Sequence, residues 1–178
     1  PEEVQTVKIQ TVRTGGLPPG EYRSHLYFRA TPKEKPLGEE IPKQEEQATI
    51  SINLVPVFGI TIPVIIRVGE PSYNVTLSDP ELTFENDTIP RLSFVFNRSG
   101  NYSVYGDISV DHVAPDGTVN RVGIAKGIAV YTPNATRKFT FNLFKGQIDY
   151  NNGKLLITYS APSDVRPEKY AEATLILK

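Results

Sequence analysis

Between Ala48 and Val68 the chain places an apolar residue or a proline at every second position: Ile50, Ile52, Leu54, Pro56, Phe58, Ile60, Ile62, Val64 and Ile66. Successive side chains of a β-strand point to opposite faces, so a period of two gathers this whole series on one side, which no helix can do. At roughly 3.3 Å per residue the stretch would run on the order of 60–70 Å if unbroken, more than a small domain needs. A bend is therefore expected near Pro56 or Gly59, and part of the strand is expected to lack a partner in its own chain. The preceding segment, Thr31 to Gln47, is dominated by Lys, Glu and Pro. Such a composition offers too little apolar burial to offset the entropy of ordering, and it reads as a long loop.

The remaining sequence continues in strands. Gln5 to Val12 alternates Val7 and Ile9 with Lys8 and Gln10, and Gly15 to Gly20 breaks the pattern with Gly and Pro. Glu21 to Ala30 alternates again. Gly69-Glu70-Pro71 reads as a hinge, followed by strand candidates at Tyr73–Leu77, Arg91–Asn97, Ser103–Val113, Arg121–Lys126, Ile128–Thr132, Arg137–Leu143, Lys154–Ser160 and Tyr170–Leu177. Asp116-Gly117 and Asn152-Gly153 are tight-turn signals, because they tolerate positive φ. Many short strands between turn residues predict an all-β chain and, for residues 69–178, a Greek-key sandwich.

Composition removes several classes of function. With 178 residues the chain can hold one large domain or two small ones. A net charge of −1 gives no broad attraction to nucleic acid or to an anionic membrane. No cysteine is present, so there is neither a disulfide framework nor a thiolate for catalysis or metal binding. No run approaches the roughly 18–20 apolar residues of a spanning helix, and the chain is expected not to be membrane-embedded. Pro1-Glu2-Glu3-Val4 leads almost directly into a strand-like segment, as if the chain began partway through a domain.

Catalytic chemistry finds no foothold. His25 and His112 stand in strand patterns beside polar residues and read as structural or surface groups, and no Gly-x-Ser-x-Gly elbow is present. Asp107, Asp111 and His112 belong to one strand, where three ligands splay rather than converge; they read as an outward polar face, with Asp107 and Asp111 on the same side. Gly123 to Gly127 lacks the strand-turn-helix setting of a phosphate loop and reads as a bend between strands. Asn-x-Ser/Thr sequons begin at Asn74, Asn86, Asn97, Asn101 and Asn134, a glycosylation signal only in a suitable host. The expectation is a non-enzymatic protein with no cofactor and no metal site.

What remains informative is the charged loop followed by the long apolar strand. It can be an ordinary core strand, or it can serve β-strand addition, in which the backbone ladder supplies affinity and alternate side chains fill a partner's groove. Long apolar edges are normally avoided because they aggregate, so one that is kept suggests a use.

Two stretches, Leu17-Pro18-Pro19-Gly20-Glu21-Tyr22-Arg23-Ser24-His25-Leu26-Tyr27-Phe28-Arg29 and Val55-Pro56-Val57-Phe58-Gly59-Ile60-Thr61-Ile62-Pro63-Val64-Ile65-Ile66-Arg67, resemble the periplasmic chaperones of the chaperone/usher pathway, in the form of the archaic, non-classical branch. Asn97 to Asp107 and Gly127 to Tyr131 are similar to that family's second domain. The resemblance implies two immunoglobulin-like β-sandwich domains: residues 1–68 as the C-terminal part of a first domain with the donor strand, and residues 69–178 as the second. It implies a chaperone in the periplasm that binds pilus or fimbrial subunits by donor-strand complementation and delivers them to an outer-membrane usher. Ile50, Ile52, Leu54, Pro56, Phe58 and Ile60 are the donor residues by position, and Arg67 matches an arginine at the domain junction. Pro63 stands where the best-known branch has a lysine that anchors the subunit's carboxylate. The family's first strands have no counterpart here, which leads to the expectation that the missing part lies elsewhere or that copies self-associate through the exposed edge. The competing expectation is a structural adhesin or surface module of tandem immunoglobulin-like domains, in which the strand after the loop is fully paired within the chain.

Overall fold

The computed structural model describes residues 4, 6–12, 14–31, 56–162 and 168–177. Among these residues the protein is all-β, with no α-helix and a single 3-10 turn at Thr14–Gly16. The strands are β1 (Gly20–Arg29), β2 (Gly59–Val68), β3 (Tyr73–Glu85), β4 (Ile89–Gly100), β5 (Val104–Val113), β6 (Val119–Val130), β7 (Thr136–Asn142), β8 (Lys154–Ser160) and β9 (Lys169–Ile176). They divide between a smaller unit, Tyr22–Ile66, and a larger one made of the residues up to Glu21 together with Arg67–Lys178.

The larger unit contains two antiparallel sheets, ordered β3-β4-β7 and β6-β5-β8-β9. Connections β4–β5, β6–β7 and β7–β8 each pass from one sheet to the other, which gives a β-sandwich of the Greek-key kind. Its core follows from alternation: Leu92, Phe94 and Phe96 of β4 face Ile108, Val110, Ile157 and Tyr159 of the opposite sheet, and all seven are fully buried. The Phe96 and Tyr159 rings meet edge-on at 5.0 Å. Tyr159 is tolerated inside because its hydroxyl donates to the Ile128 carbonyl at 2.8 Å.

Several elements depart from the sequence pattern. β3 continues past Leu77 to Glu85 through a bulge at Ser78–Glu81, with Asp79 at φ 52. Pro80 is accommodated because β3 is an edge strand and no second neighbour needs its missing N–H. The two candidates at Arg121–Lys126 and Ile128–Thr132 are one strand, β6, in which Gly127 at φ 71 forms a bulge rather than a break. Asp116-Gly117 does close the β5–β6 hairpin, with Gly117 at φ 89. Asn152-Gly153 instead stands at the entrance to β8, on a connection that arrives from the other sheet. Residues 6–12 form no strand, and Val7 and Ile9 are exposed. Alternation there is real, but a ladder also needs a neighbour.

Among its described residues the smaller unit is a two-stranded hairpin. β1 and β2 form a two-stranded sheet, and the Ala30 N–H donates to the Phe58 carbonyl at 2.8 Å, so the end of β1 meets the start of β2 and the strands run antiparallel. β2 begins at Gly59, one of the two places where a bend was expected, and residues 56–58 lie outside the strand. The Tyr27 ring covers Gly59 so closely that a Cβ there would lie 2.5 Å from its hydroxyl. Residues 32–55, and with them almost all of the expected loop and the first part of the long strand, lie outside the described residues.

Candidate functional site

Of the candidate donor residues that the structure describes, Ile60 lies on β2, and Pro56 and Phe58 lie in the residues just before it. Ile50, Ile52 and Leu54 fall outside the described residues. Pro56, Phe58 and Ile60 are placed and exposed, Phe58 at 74% and Ile60 at 66%; Ile62, next in the same series, is exposed at 47%. Further along, Val64, Ile66 and Val68 are half-buried. Each strand of the hairpin has one hydrogen-bonded neighbour among the described residues, and the N–H and C=O groups on the other side of such a strand can pair with a further strand. An open edge with apolar teeth at every second residue is chemically suited to receive or donate a β-strand. Pro63, exposed within β2, supplies neither a charge nor a backbone donor.

A second polar arrangement lies within the larger unit. Arg67 does have an acidic partner: its Nε is 3.2 Å from Glu21 Oε2. The Glu21 side chain is fully buried and also accepts from the Ser103 hydroxyl at 2.5 Å and the Ser103 N–H at 3.4 Å. Ser103 Oγ in turn accepts from the Thr132 N–H at 2.9 Å. Burial alone would push the Glu21 carboxyl up, but the Ser103 hydroxyl and the Arg67 guanidinium together outweigh it and hold the group below its ordinary range. Sequence reading missed Glu21 because its partners lie 46 and 82 residues away and leave no local spacing to find.

The remaining candidates are committed elsewhere. His112 does not belong to an outward polar face: it is only 3% exposed and shares the inward side of β5 with Ile108 and Val110. Its Nε2 lies 2.9 Å from the Asn152 carbonyl, and its ring meets Tyr150 edge-on at 6.1 Å. Asp107 and Asp111 do share the outer side, as the alternation predicts. Asp111 pairs with Arg121, and Asp107 accepts the Gly127 N–H at 2.9 Å. Among the described residues no three His, Cys, Asp or Glu side chains gather as a metal site. A cleft of about 200 Å³ beside His112 is lined by Asn120, Gln147, Asp149 and Asn152, but Asp149 is occupied in accepting from Asn151 and Asn152. That cleft holds no nucleophile next to a base. His25 is exposed on β1.

No family model matches the chain, and no curated protein matches it. Among solved structures it is similar to DesR, a β-glucosidase from Streptomyces venezuelae in complex with D-glucose, at 13% identity and a TM-score of 0.37 over 64% of this chain and 16% of that one. It is also similar to β-glucosidase 3B from Thermotoga neapolitana in complex with α-D-glucose, at 12% identity and a TM-score of 0.38 over 63% of this chain and 16% of that one. The matched part is thus a small fraction of either enzyme's length, and a likeness of this size carries no argument about activity.

Proposed function

We propose that the protein is a periplasmic chaperone of pilus or fimbrial subunits, which adds a strand of its own to an incomplete subunit, keeps it soluble and delivers it to an outer-membrane usher. The observation that carries this reading is the series Phe58, Ile60 and Ile62, exposed just before and along β2, a strand with one neighbour among the described residues. The sheet orders of the larger unit support an immunoglobulin-like assignment for it, with β6 joined to β5 rather than to the three-stranded sheet. The hairpin is read as the closing part of a first domain of the same kind.

In this reading the subunit's edge strand pairs with β2, and the alternate side chains enter a groove in the subunit. Each fully buried aliphatic or aromatic group contributes about 1.5–3 kcal/mol before the entropy of association is subtracted. The competing surface-module reading requires β2 to be paired on both sides within its own chain, and the described residues give it one neighbour.

The test is co-expression with a candidate pilin and affinity capture of the complex. Wild-type chain should retain the subunit, and the double change Phe58→Asp and Ile60→Asp should abolish capture while the larger unit keeps its far-ultraviolet spectrum. Undiminished capture by the double variant sinks the proposal, because two charges cannot be seated in an apolar groove without large cost.

A further inference from the structure

The stretch from Arg67 to Tyr73, all of it in the larger unit, includes the Gly69-Glu70-Pro71 sequence that reads as a hinge. Its polar groups are engaged within the larger unit. The Ser72 N–H donates to Asn101 Oδ1 at 2.8 Å, and Asn101 Nδ2 donates to the Glu70 carbonyl at 3.2 Å. The N–H groups of Asn101 and Tyr102 both donate to the Ser72 carbonyl, at 2.8 and 3.3 Å. The Tyr102 hydroxyl donates to the Gly69 carbonyl at 2.8 Å, and the Arg67 guanidinium lies over the Tyr102 ring, 5.7 Å from its centre. One short loop therefore holds the Gly69, Glu70 and Ser72 carbonyls and the Ser72 N–H. Gly100 permits the approach: it sits at φ 97, and a Cβ there would collide with the Ser72 carbonyl oxygen.

The loop is itself braced from behind. Arg98, 7% exposed, donates through Nη1 to the Gly100 and Tyr102 carbonyls at 2.8 and 3.0 Å, and through Nε to the Asn134 carbonyl at 3.0 Å. A buried guanidinium that donates to two carbonyls of one loop while anchored to a third carbonyl outside it fixes that loop's shape. The sequon at Asn101 thereby gains a structural explanation, since both ends of its amide are engaged.

From this geometry we infer that Asn101 and Tyr102 are positioning residues for the end of β2: they clamp the segment that leaves the strand, so that Arg67 and Val68 are held in one place within the larger unit. They touch no subunit themselves. The consequence for capture rests on the proposed strand addition, whereas the clamp stands on contacts within the larger unit.

Amide hydrogen exchange on the full chain, together with the kinetics of subunit capture, tests it. In Asn101→Ala the Ser72 amide should exchange at least about tenfold faster while amides of β8 are unchanged. Asn101→Asp keeps the acceptor for the Ser72 N–H and should restore its protection; Tyr102→Phe keeps the ring beneath Arg67, removes only the donor to the Gly69 carbonyl and should leave the Ser72 amide protected. Capture by Asn101→Ala should show a slower association rate with an unchanged dissociation rate, because the donor side chains are intact, and Asn101→Asp should recover it. A role limited to general stability would instead lower the unfolding midpoint and speed exchange in β8. Unchanged exchange at Ser72, or faster exchange with an unaltered association rate, overturns the inference. A wild-type chain that captures no subunit counts against the proposed function, and Ser72 exchange still decides for or against the clamp.

Discussion

The same period-two pattern has opposite outcomes in the two units. On β4, Phe94 and Phe96 are fully buried, because a second sheet lies over that face. Ile60 on β2, and Phe58 just before it, are largely exposed, because the described hairpin has no second sheet of its own. The side chains are equally apolar. Alternation therefore specifies that a strand has an apolar face, while what covers the face is decided by the rest of the fold. A two-stranded ribbon is marginal by itself, and an apolar edge of this kind is either completed by something or used to complete something else.

The comparison can be broken most directly at Phe96. Its ring lies 5.2 Å from Phe94, 6.2 Å from Phe139 and 5.0 Å from Tyr159. Phe96→Ala removes those contacts and leaves a cavity, so it should cost about 3–5 kcal/mol, read as a large fall in the urea midpoint and in Tm. A loss below about 1 kcal/mol would mean that the sandwich interior is no better packed than the hairpin's open face.

A smaller effect separates the tied end of the sandwich from its free end. Gly100 and Gly117 both have positive φ, at 97 and 89, but a Cβ at Gly100 meets the Ser72 carbonyl oxygen and one at Gly117 meets open space. Gly117→Ala should cost about 1 kcal/mol from backbone strain alone, and Gly100→Ala clearly more, since strain and collision add. Equal losses in chemical denaturation would contradict the contrast.

How much of this was legible depends on how local the cause is. β8 was read to the residue and β5 to within one, because one-sided burial writes an alternation that each strand carries by itself. The inward position of His112 was available in the same signal, since it shares parity with Ile108 and Val110. β3 was cut short and β6 split in two because Asp79-Pro80 and Gly127 look like terminators when they are bulges, and only a neighbouring strand that continues past them reveals the difference. The segment 6–12 misled for the complementary reason, a strand pattern with no ladder. Phe58 and Ile60 were singled out by periodicity and resemblance together, and the structure adds that they are exposed, whereas the contacts of Glu21 and of Asn101 and Tyr102 join residues too far apart in sequence to be paired by spacing.

Glu21 offers a pH-dependent handle on the larger unit. Its folded-state pKa lies below the ordinary 4.5, so its contribution to stability is fully present above that value and is lost as pH falls through the lower folded value. The stability difference between wild type and Glu21→Gln should therefore be constant from about pH 7 to about pH 5.5 and shrink progressively below about pH 4.5 in urea titrations. A difference that persists unchanged to about pH 3 would show that the Glu21 charge contributes nothing to the contact with Ser103 and Arg67.

The smallest expected effect bears most directly on the hairpin. Ile60 is 66% exposed, so most of its apolar surface is already in water, and Ile60→Ser should change the stability of the free chain by no more than about 0.5 kcal/mol. The same change should weaken subunit capture, because only in the complex is that side chain buried. The two measurements together separate a surface that is free until a partner arrives from one that is already covered. A stability loss above about 1 kcal/mol in the free chain would mean that this face of β2 is covered before any subunit binds, and the edge could not then be what the subunit receives.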